Sequence, residues 1–78
     1  MSNEVIAKDL TATIKQKAAS IKAQLEELNN MTNEYDILFN NVENSVEIEV
    51  ADIQNSCEYI INEMSSIDDS CDEIMNAL

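Results

Sequence analysis

Two cysteines and a cluster of four acids are the side chains of this sequence best placed to do chemistry. Cys57 and Cys71 lie fourteen positions apart. On one helix that is about 21 Å, beyond the reach of a disulfide. A zinc site would need further nitrogen or sulfur ligands, and the chain contains no histidine. The same absence removes the commonest general base. With no cation or base identified beside either thiol, nothing activates a nucleophile. The two cysteines read as small apolar side chains in a reducing compartment, or as a redox-sensitive link between chains.

Asp68, Asp69, Asp72 and Glu73 form two carboxylate pairs at four-residue spacing. Such pairs can bridge a divalent cation, but a calcium loop needs glycine at its sharp turn, and the chain has none. These acids point away from the apolar stripe described below, with nothing to exclude water. They read as solvated surface acids. Missing glycine also removes the loops that cradle phosphates or dinucleotides. Tyr35, Phe39 and Tyr59 are the only aromatics, too few for a base-stacking platform. The sequence therefore predicts no catalytic residue, no metal ligand and no cofactor, and argues against an enzyme.

The elements that carry these residues are set by one apolar stripe. At alternating steps of four and three it runs Ile14, Ala18, Ile21, Leu25, Leu28, Thr32, Tyr35, Phe39, Val42, Val46. After a second step of four to Val50 it resumes through Ile53, Cys57, Ile60, Met64, Ile67, Cys71, Ile74 and Leu78. A mean step of 3.5 residues keeps one helix face turned toward a neighbouring helix. No proline interrupts it. The fold class expected is all-α, in a single domain over residues 1–78.

Asn40 to Ser45 is the best turn, because asparagine ends helices where glycine is unavailable. Asn44 and Glu47 have the spacing of a capping box. The spacing predicts helices over about 3–40 and 45–76, with a turn at 41–44. Asn29, Asn30, Thr32 and Asn33 are poor helix formers, but the stripe crosses them in phase, so the first helix continues. An antiparallel hairpin brings Lys15 and Lys17 beside Asp68, Asp69 and Asp72, and Lys22 beside Glu63. Two straight chains side by side would make the same pairings, but length and charge placement favour the hairpin. The expected core is Ile21, Leu25, Leu28, Ile53, Ile60 and Ile67.

The net charge is −12, and all four lysines lie in the first 22 residues. From Ala23 onward there is no base. Such a surface repels phosphate backbones and anionic lipid, so direct nucleic-acid and membrane binding are not expected. No signal peptide and no membrane-spanning run is evident, which predicts a cytoplasmic protein or one secreted without a signal. The expected partner is a protein, a basic one among the options, or a second copy in a four-helix bundle.

The stripe is wider than a two-helix pair requires, and apolar residues crowd around the turn. The interaction residues expected are Leu25, Leu28, Leu38, Phe39, Val42, Ile48, Ile53, Ile60, Ile61 and Ile67. Two functional readings follow. The first is a non-catalytic assembly, adaptor or secretion-accessory protein that binds through its stripe. The second is an acidic inhibitor, of the antitoxin, phage anti-defence or DNA-mimic kind, covering a basic surface of a nuclease or DNA-binding protein. In architecture alone the hairpin resembles small helical secretion-system substrates and type III needle subunits. The first group turns on a Trp-x-Gly motif and the second usually on proline; all three residues are missing here, so no residue role carries over.

Overall fold

The computed structural model describes residues 2–38 and 44–78, which form two helices, α1 (Asn3–Leu38) and α2 (Asn44–Ala77). They pack against each other along their length as an antiparallel hairpin. The molecule measures 61 × 14 × 13 Å. One unbroken helix of this chain would be about 115 Å long. Residues 41–43 of the expected turn, with Val42, lie outside the described residues, as does Phe39, and Asn44 is the first residue of α2.

Local chemistry accounts for α1. Ser2 precedes it, and its Oγ accepts from the Val5 amide at 3.3 Å, the geometry of an N-terminal cap. Glu4 suits the positive end of the helix dipole and pairs with Lys8 at 3.5 Å. The asparagine-rich stretch remains helical. There Thr32 donates its hydroxyl to the Asn29 carbonyl at 2.6 Å, and Thr11 does the same to Ala7 at 2.7 Å. Both threonines are buried, and these internal bonds satisfy their hydroxyls without a partner from α2.

The seam follows a strict seven-residue spacing. Thr11, Ala18 and Thr32 on α1 and Val50, Cys57 and Cys71 on α2 are buried, with Leu25 and Met64 half-buried in the same rows. Six of these eight are small, and small side chains let helix backbones approach closely. The expected core is corrected here. Of its six members only Leu25 lies in the seam. Ile21, Leu28, Ile53, Ile60 and Ile67 are each 37–45% exposed. A 3.5-residue stripe contains two rows, and both were expected inside. With the small row at the centre, the Ile/Leu row does not fit between the backbones and stands along one edge.

The molecule is correspondingly thin. Its radius of gyration is 17.9 Å, against about 12 Å for a compact chain of this length. Among the described residues no large side chain is completely buried.

Candidate interaction surface

Cross-helix contacts decide which residues share a face. Lys15 pairs with Asp72 and, at 3.8 Å, with Asp68. Gln54 donates to Asn33 at 3.1 Å. Lys15 stands four residues after the seam residue Thr11, and Asp68 four after Met64. In an antiparallel pair, positions four after the seam therefore share one face. Positions three after it share the opposite face. On α1 these are Ile14, Ile21, Leu28 and Tyr35. On α2 they are Ile53, Ile60, Ile67 and Ile74, with Val46 two turns before Ile53.

Every one of these is an exposed hydrophobic residue. Together they form one apolar strip along the hairpin. Monomeric proteins seldom expose apolar patches of more than a few hundred Å², and larger ones mark interaction sites.

The Lys15 face is different in chemistry. The Asp72 carboxylate, hydrogen-bonded to Lys15, lifts the lysine pKa above its usual 10.5; partial desolvation opposes the rise and Asp68 adds to it. Lys22 lines a shallow groove with Ala18, Met64, Asp68 and Asp69. Lys17 and Lys22 make no ion pair among the described residues, so the expected pairing of lysines with acids is realised directly at Lys15. The carboxylates of Asp68, Asp69 and Asp72 come within 4.8 Å of one another. Lys15 already supplies a cation to two of them. Both cysteines are free and buried in the seam.

The residues expected from sequence to mediate interaction are distributed as follows. Leu28, Ile53, Ile60 and Ile67 come together on the apolar face. Leu25 belongs to the seam, Ile61 is half-buried on the Lys15 face, and Ile48 is exposed on the outer side of α2. Leu38 ends α1, and its side chain, like Phe39 and Val42, lies outside what is described. Ile14 and Ile74 belong to the face although the sequence assigns them to the stripe alone, and Ile21, an expected core residue, stands there with them. Their signal was the heptad row they share with Leu28 and Ile60.

The fold and this surface define a helical hairpin with one apolar and one charged face. No family model matches the sequence, and no curated protein or solved structure matches it. Among the described residues no helix is long and apolar enough to cross a membrane.

Proposed function

We propose that the chain is a non-catalytic α-helical interaction module that binds another protein, or itself, through its Ile/Leu face. The observation that supports this is the separation of the two stripe rows. Small residues close the hairpin, and a continuous row of large ones remains exposed beside it. Burying one such side chain fully contributes about 1.5–3 kcal/mol, whereas an exposed ion pair gives about 0–1 kcal/mol and is screened by salt. On those magnitudes the face provides the affinity, and the acids tune solubility and the choice of partner.

The reading is tested by affinity capture at about 0.05 M and 0.5 M salt, which changes the Debye length several-fold. Wild type is compared with Ile21→Glu, Ile60→Glu and a variant with Glu26, Glu27, Glu34, Glu47 and Glu58 changed to glutamine. Circular dichroism checks that each remains helical. Capture that survives salt and the glutamine changes but is lost in the isoleucine variants is expected. Capture that collapses with salt and with the glutamine changes would instead mark an acidic inhibitor of a basic surface.

A further inference from the structure

We propose that the occupant of the Ile/Leu face is a second copy of this chain, docked about a twofold axis parallel to the helices, so that α1 of each copy lies against α2 of the other. This rests on the reading of that face as a binding surface, and adds both the partner and its orientation.

Area and charge carry the inference. The face side chains, each about two-fifths exposed, offer on the order of 600 Å² of largely apolar surface per copy, approaching the ~800 Å² per partner of a standard interface before the rim is added. The rim of α1 carries Leu10, Met31 and one charge, Lys17. The rim of α2 carries Glu49 and Glu63. The other seven acids of α2 turn outward or toward the Lys15 face. The strongly acidic character of the chain is thus directed away from the surface that two copies would share.

Face-to-face docking allows two dyads. An axis perpendicular to the helices stacks α1 on α1 and α2 on α2. That sets two helices, each with nine acids and no base, side by side. An axis parallel to the helices alternates the lysine-bearing and base-free helices around a four-helix bundle. It also brings the Lys17 rim, unpaired within its own hairpin among the described residues, toward Glu63 of the partner subunit. Like charges across an interface select against a packing, and opposite charges select for one.

The full chain is studied by sedimentation equilibrium at about 100 μM, above the dissociation constant of most standard-size interfaces. Energy transfer is then measured in mixtures labelled at the N-terminal amine with donor or acceptor. A dimer with efficient transfer is expected, because the parallel dyad puts both N-termini at one end. The perpendicular dyad would separate them by nearly the 61 Å length of the molecule. Lys17→Glu should weaken the dimer about tenfold, and adding Glu63→Lys should restore it, since two exposed pairs are inverted and then rebuilt. Both positions are exposed, so folding survives and is checked by circular dichroism. A dimer with weak transfer, or one indifferent to Lys17→Glu, overturns the packing. A monomer that binds an apolar dye at the face overturns self-association and leaves the interaction reading standing. A monomer that binds no dye removes both.

Discussion

Cys57 and Cys71 are 3% and 2% exposed, which makes them structural side chains of the seam. A thiol reagent should therefore react only as the hairpin opens. Modification in native buffer is expected to be slow and to accelerate in step with unfolding as denaturant is added; immediate reaction in native buffer would contradict their burial. Asn29 presents the opposite situation. Its side-chain oxygen is shielded from solvent without a hydrogen-bond partner among the described residues, and asparagine is a weak helix former. Asn29→Leu should stabilise the hairpin by about 1 kcal/mol in urea unfolding, because it removes an unsatisfied acceptor. Lys15 gives a pH signature. Its pKa is raised above 10.5, so its contribution to stability is fully present below that value and is lost as pH rises through the raised pKa. Wild type should melt above Lys15→Met at pH 7, and the difference should shrink as the pH is raised above 10.5 and through the raised pKa. The pairing of Lys15 with Asp68 and Asp72 was legible in the sequence, since it needs only the helix period and the point of turning. The orphaned Asn29 oxygen was not, because it depends on how the side chain packs beside the seam.

At the scale of the helices, sequence and structure agree on two long helices packed as a hairpin. α1 begins at Asn3 as expected, and α2, Asn44–Ala77, exceeds its expected limits by one residue at each end, within the usual latitude of helix ends. Residues 39 and 40, the expected end of the first helix, lie outside the described residues. The antiparallel register agrees too, because Gln54 with Asn33 and Lys15 with Asp72 fix it at two separate levels. What the period could not settle was which of two apolar rows would take the centre. Ala18, Cys57 and Cys71 on one row against Ile21, Ile60 and Ile67 on the other was the available clue, since close approach requires small side chains. Substitutions should separate the rows. Ala18→Leu overpacks the seam and should cost about 1–3 kcal/mol. Ile60→Ala, at a site already 38% exposed, should cost the dilute hairpin only about 1–2 kcal/mol, below the 2–5 kcal/mol of a fully buried isoleucine. Denaturant unfolding at low concentration measures both. No loss at Ala18, together with a loss at Ile60 well into the range of about 2–5 kcal/mol for a buried isoleucine, would place the Ile row at the centre instead.

For the whole molecule, shape and charge lead to one conclusion. A hairpin 13–14 Å thick has no interior beyond a single row of contacts, and chains this short bury only about 60% of their unfolded surface. Occupation of the Ile/Leu face would add the apolar burial that the isolated hairpin lacks. The most direct measurement is the solvent accessibility of the isoleucine methyls, read from relaxation by a soluble paramagnetic agent as the protein is concentrated. At high dilution the methyls of Ile21, Ile53, Ile60 and Ile67 should relax nearly as fast as that of Ile48, which is 60% exposed on the outer side of α2. As concentration rises the four should become protected together, while Ile48 stays accessible. Methyls on the face that remain as accessible as Ile48 at every concentration, or protection that appears at Ile48 first, would contradict an interaction surface built on that row.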